Sequence, residues 1–156
     1  MAPMRCLAAL GVALALALTA CTKDEPAMPA TCTTTHADGY ARALRAVPAP
    51  VRLPGGTRIS ECLRRVRTDS DLQDLGVILY QVADRLGDRA RAGRDPAAAR
   101  ELGYLAGAVR AGAERSNGIS SELSRRIDRS GIGIDELSPT MARALQAGLV
   151  AGGTTG

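Results

Sequence analysis

Apolar residues recur along this chain at three- and four-residue intervals, and no alternating stretch of useful length occurs, so the pattern predicts helices. The most regular stretch is 70–92. There Leu72, Leu75, Ile78, Leu79, Val82 and Leu86 fall within one arc of a helical wheel, and Gln73, Asp74, Gln81, Asp84, Arg85 and Asp88 occupy the opposite arc. Such a helix lies on a surface with one face buried. Ser70, with Gln73 three residues on, fits a capping box at its start.

Five further helices follow from the same reasoning. Tyr40, Leu44 and Val47 are spaced for one face of a helix over 37–47, which Pro48 and Pro50 stop, and Pro54-Gly55-Gly56 marks a turn. A short helix over 58–67, capped by Thr57 or Ser60, carries Ile59, Cys62, Leu63 and Val66 on its apolar face. Asp95-Pro96 opens a helix with a capping carboxylate and proline at the first helical position. It runs to about 115, ahead of Asn117-Gly118, and presents Ala99, Leu102, Leu105, Ala106, Val109 and Ala113 to a core. Ser120 or Ser121 caps a helix over 121–130, with Leu123 and Ile127 inward and Glu122 placed to pair with Arg126. Ser138-Pro139 starts a last helix over 139–150 that buries Met141, Leu145 and Leu149.

The expected class is therefore all-α, an antiparallel bundle of five to six helices joined by short connections. Gly103, Gly107 and Ala111 form a second strip on the 96–115 helix. Each interior glycine costs about 1 kcal/mol in helix propensity, which close approach of a neighbouring helix offsets. A membrane-dimer reading of that strip fails, because Arg100, Arg110 and Glu114 interrupt the segment.

The N-terminal stretch follows a different pattern. Arg5 precedes an unbroken run from Leu7 to Leu18, too short to span a hydrocarbon core that takes about 20 helical residues. It has the length of an export signal. The run ends in Leu18-Thr19-Ala20-Cys21, which resembles the lipobox of bacterial lipoproteins: an apolar residue, two small ones that fit the peptidase, and the cysteine. The resemblance implies that residues 1–20 are a removed signal peptide and that Cys21 becomes an N-terminus carrying two or three acyl chains. It also implies a protein held at the extracytoplasmic face of the cell membrane. Several chains anchor stably where a single one does not. Residues 21–35, proline- and threonine-bearing without a hydrophobic period, read as a lipidated tether. The helical domain then occupies 36–150, and 151–156 reads as a disordered tail.

Four cysteines acquire distinct fates on this reading. Cys6 leaves with the leader and Cys21 is consumed by lipidation, so Cys32 and Cys62 remain in an oxidising compartment, where an even remainder reads as a structural disulfide. The competing reading of Cys62 is a small buried hydrophobe on its helix. No Cys-x-x-Cys spacing suggests a redox-active pair.

Composition narrows the chemistry. At 156 residues the chain holds one domain and is too short for a two-lobed solute-binding protein. Tyr40, Tyr80 and Tyr104 are its only aromatics, so Leu, Val, Ile and Ala must build the core. His36 is the one histidine, which excludes a histidine-rich metal site, and Met1 and Met4 fall in the leader, leaving Met28 and Met141. Gly-x-Ser-x-Gly is missing, and Lys23, the sole lysine, lies in the tether, so Ser-x-x-Lys cannot occur. Glu101, Glu114, Glu122 and Glu136 could supply a carboxylate pair for glycoside hydrolysis, but a chain without Trp or Phe has few stacking platforms for sugars. The expectation is no enzyme, cofactor or metal.

Arginines gather as Arg64, Arg65 and Arg67; Arg85, Arg89, Arg91 and Arg94; and Arg125, Arg126 and Arg129. Each group sits late in its helix while acidic residues sit early, as the helix dipole favours. The net charge of +4 falls to +3 without Arg5, and export argues against nucleic acid. The expected partners are the membrane, through the anchor, and an envelope protein or anionic surface polymer. The alternative is a bundle binding a small apolar ligand or lipid in a cavity lined by the leucines of 70–92 and 96–115.

Overall fold

The hydrophobic period from Leu72 to Leu86 lies within a 25-residue helix, α4 (Asp69–Gly93). Its cap falls two residues before the expected one. Thr68 Oγ1 accepts the Asp71 N–H at 3.0 Å, and the Asp71 carboxylate accepts the Thr68 N–H at 3.2 Å. An aspartate thus completes the capping box, and Asp69 and Asp71 place negative charge where the helix dipole is positive.

The computed structural model describes residues 27–114 and 120–156. The remaining helices among them are α1 (Thr31–Thr34), α2 (Ala37–Leu44), α3 (Ile59–Arg64), α5 (Pro96–Ala113), α6 (Ser121–Ser130) and α7 (Pro139–Thr155), with a 3-10 turn at Pro54–Gly56. The protein is all-α. Asp95 caps α5 by accepting the N–H groups of Ala97 and Ala98 at 2.9 and 3.2 Å, and Ser138 caps α7 by accepting from Met141 at 3.2 Å. Arg58 stands at the cap of α3 in place of Thr57 or Ser60. Ser60 points inward instead, its hydroxyl donating to the Gly156 carbonyl.

α5 is the centre of the molecule. The sequence predicts one buried face for it, yet residues from Ala98 through Val109 are buried around its whole circumference apart from Arg100. Alanines and glycines make this workable, because they let neighbours close in on every side. α7 packs closest. A Cβ on Gly103 would fall 2.9 Å from the Leu149 nitrogen, and one on Gly107 would fall 2.7 Å from the Gly153 nitrogen. Gly148 and Gly152 answer from α7, where added Cβ atoms would lie 2.8 Å from the Tyr104 nitrogen and 2.7 Å from its carbonyl carbon. The glycine strip of α5 therefore meets a second one on α7.

The order of these contacts gives the direction of the helices. Numbers rise together along α5 and α7, and likewise along α4 and α6, where Gly76 meets Leu123 and Gly87 meets Ser130. Consecutive long helices alternate in direction while the closest pair, α5 with α7, runs parallel. Gly112 completes the packing of α5 by admitting the Ser60 and Leu63 backbone and side chain of α3.

Both ends of the domain extend beyond their expected limits. α1 lies inside the stretch read as tether, held because Cys32 is bonded to Cys62 and Tyr40 donates its hydroxyl to the Cys32 carbonyl at 2.8 Å. The tail expected to be disordered continues α7 to Thr155, since Gly152 and Gly156 are pressed against α5 at Tyr104 and Ala108. Thr154 and Thr155 donate their hydroxyls to the Val150 and Ala151 carbonyls at 2.8 and 2.9 Å.

Candidate functional site

Cys21, the residues 1–20 read as a leader and the expected Asn117-Gly118 stop lie outside the described residues. Cys32 and Cys62 form a disulfide with S–S 2.05 Å and Cα atoms 5.7 Å apart, and both residues are fully buried. The bond ties α1 to α3 and has no access to solvent, so its role is structural. No described helix is long and apolar enough to cross a membrane.

The sequence-derived chemical candidates are dispersed by the fold. His36 is exposed at the start of α2. Glu114 and Glu136 are exposed as well, whereas Glu101 is buried and Glu122 sits on α6. Among the described residues no three His, Cys, Asp or Glu side chains gather in a group able to hold a metal ion.

Glu101 is the exception to the solvated pattern. Its side chain is 9% exposed, its nearest cation is Arg89 Nη1 at 3.6 Å, and its Oε2 has no hydrogen-bond partner. Burial pushes its carboxyl above the usual glutamate range, only partly opposed by Arg89 and Arg45, while Asp95 adds to the rise. Arg89 is mainly committed to Asp95, at 2.9 Å. Position 101 lies off the apolar face read for this helix, Ala99, Leu102, Leu105, Ala106, Val109 and Ala113, so its burial was not legible in the sequence.

Several arginines pair with one carboxylate each. Arg65 pairs with Glu61 at 2.6 Å, Arg85 with Asp38 at 2.7 Å, and Arg110 with Asp128 at 3.0 Å. The α6 group differs, because Arg125, Arg126 and Arg129 all reach the same carboxylate, Glu122, at 2.9, 3.1 and 4.0 Å. These three guanidiniums are more than half exposed, which leaves excess positive charge along one edge of α6.

That edge forms one wall of a groove against α4. The groove has two halves that share Tyr80, Glu122 and Arg126. One, of about 520 Å³, is floored by Leu72, Gly76, Val77 and Leu123. The other, of about 490 Å³, is lined by Asp84, Arg91, Arg129 and Ser130. Val77 is 52% exposed and Tyr80 46% exposed on its rim. Neither belongs to the apolar arc that defines α4, so their apolar surface lies outside the core face. A smaller groove of about 360 Å³ lies between α5, α6 and α7 beside the exposed Ile132.

The leucines proposed to line an internal cavity pack instead into the core: Leu75, Leu79, Leu86, Leu102 and Leu105 are at most 2% exposed. Comparison with protein-family models, curated proteins and solved structures finds no match to this chain.

Proposed function

We propose that this protein is a lipid-anchored extracytoplasmic domain that acts by non-catalytic contact with another component of the cell envelope. The observation that carries the reading is the contrast between a closed core and the open α4–α6 groove. The core leucines of α4 and α5 cover one another, while Val77 and Tyr80 remain exposed beside a cationic edge. Apolar surface held at a groove rather than buried marks a contact site. The lipobox-like Leu18-Thr19-Ala20-Cys21 supports the anchor, and a buried disulfide fits an oxidising compartment. Anchoring raises the effective concentration at the membrane, so weak contacts suffice.

Cross-linking in the intact envelope, followed by mass spectrometry, tests the reading. The wild-type chain is compared with Cys21→Ser and with Val77→Asp. A component recovered with wild type and lost with both variants is the expected result. Equal recovery from wild type and Val77→Asp would remove the groove from the proposal. An intact mass lacking the acyl increment would remove the anchor.

A further inference from the structure

We propose that the α4–α6 groove binds a single-chain anionic amphiphile, with its apolar chain along Leu72, Val77 and Leu123 and its anionic head between Arg126 and Arg129. The inference rests on the reading of this face as a contact site and gives its ligand a chemistry. It does not depend on the anchor.

The argument starts from polarity split along one continuous groove. The half nearer the start of α4 is mainly apolar, although Asp69 and Gln73 also line it, and the half nearer its end is cationic, with Tyr80, Glu122 and Arg126 at the junction. A ligand matching both halves must itself join an apolar segment to an anionic one. Charge complementarity then points to the head group. Three guanidiniums, Arg91, Arg126 and Arg129, line the cationic half against the carboxylates of Asp84 and Glu122, and Arg125 adds a fourth cation just outside. Glu122 already holds two guanidiniums, since Arg126 Nε donates to it at 3.1 Å and Arg125 lies at 2.9 Å. Arg129 approaches it only to 4.0 Å and so retains the capacity to hold a phosphate or carboxylate oxygen. Arg91 is occupied by the Ser130 carbonyl and Asp88 and contributes field rather than a donor pair.

Gly76 supplies a second observation. Elsewhere in the long helices the glycines at crossings are required by backbone contact, whereas a Cβ on Gly76 would meet only Leu123 methyl groups, at 3.8 and 3.9 Å. The intramolecular packing therefore does not require glycine in the groove floor, where its absent side chain leaves depth for a chain. Concavity favours an inserted chain over a flat bilayer surface.

Isothermal titration of the full chain carrying Cys21→Ser with dodecyl phosphate, below its micelle concentration, tests this. The expected result is saturable one-to-one binding at least about tenfold tighter than that of inorganic phosphate or dodecyl maltoside. Arg126→Gln with Arg129→Gln should weaken it about fivefold or more, and Asp84→Asn should tighten it. These positions are exposed, and circular dichroism verifies that each variant folds. Equal affinity for dodecyl maltoside overturns the anionic assignment, as does indifference to the arginine pair. Binding only as micelles form overturns the groove. If no probe binds but envelope cross-linking captures a protein through Val77, this inference fails while the contact reading stands.

Discussion

Gly152 of α7 rests against the backbone of Tyr104 of α5, so close that a Cβ would lie 2.7 Å from the Tyr104 carbonyl carbon. The neighbour is main chain of the most buried helix and cannot move aside cheaply. Gly152→Ala should therefore destabilise the protein by more than about 2 kcal/mol through overpacking. Gly76→Ala, with only methyl groups nearby, should instead stabilise by up to about 1 kcal/mol through helix propensity. Chemical denaturation of the two variants reads both signs in one experiment.

The same Tyr104 organises a polar contact within the core. Its hydroxyl accepts the Val51 N–H at 3.0 Å and shares a hydrogen bond with Thr155 Oγ1 at 3.1 Å. Tyr104→Phe leaves the Val51 N–H without that acceptor in a buried setting and should cost about 1–3 kcal/mol. Thr155→Val removes one of the two contacts and should cost less. Thermal unfolding of both variants should rank them in that order.

Cys32 and Cys62, 30 residues apart, close the N-terminal segment onto α3. Reduction, or Cys32→Ser with Cys62→Ser, should lower stability by about 3–4 kcal/mol on the chain-entropy argument. Unfolding followed with and without reductant measures it; an unchanged midpoint would contradict the assignment of a structural role.

Stability should depend on pH in opposite directions in two ranges. Glu101 has a raised carboxyl pKa from burial, so its folded form binds a proton more readily than its unfolded form. Its penalty is full above the folded pKa and is relieved as pH falls through it, so stability should rise on acidification from pH 7. Asp71 has a lowered pKa because it accepts N–H groups from Arg67 and Thr68. For Asp95, burial opposes the change but the Ala98 N–H, Arg89 and the Ala97 N–H outweigh it. Those contributions exist above the unfolded values of about 4 and are lost as pH falls through the folded ones. Stability should therefore pass through a maximum on the acid side of neutrality. Glu101→Met should abolish the rise and match or exceed wild type at pH 7, since an apolar side chain of similar size needs no partner there.

Arg94 closes α4 with φ +46°, the only described non-glycine residue at positive φ. A side chain in that conformation costs roughly 1–2 kcal/mol. Arg94→Gly should recover about 1 kcal/mol, detectable as a higher unfolding midpoint without change in helical content.

Local rules were readable directly in the chain. Asp95-Pro96 and Ser138-Pro139 start helices where their side chains accept N–H groups two or three residues on, and Leu75, Leu79, Val82 and Leu86 are buried where their period places them. The Cys32–Cys62 pairing was legible too, because few thiols remained to choose from. Local competition accounts for the misplaced α4 cap. Thr68-x-x-Asp71 and Ser70-x-x-Gln73 overlap, and the earlier pair wins by including Asp69 and Asp71 in the first turn.

What the chain determined by itself was thus the existence of the six longer helices, the Asp95 and Ser138 caps and the inner face of α4, since these depend on residues three or four positions apart. Only the tertiary structure decided that the glycines of α5 meet Gly148 and Gly152, and that the tail completes α7 rather than fraying. It also decided that Glu101 is enclosed beside Arg89, and that Val77 and Tyr80 border Arg126 and Arg129 across a groove. Each of these depends on which two helices approach and in which direction, a choice made by backbone distance and packing across tens of residues. The periodicity of one helix does not contain it.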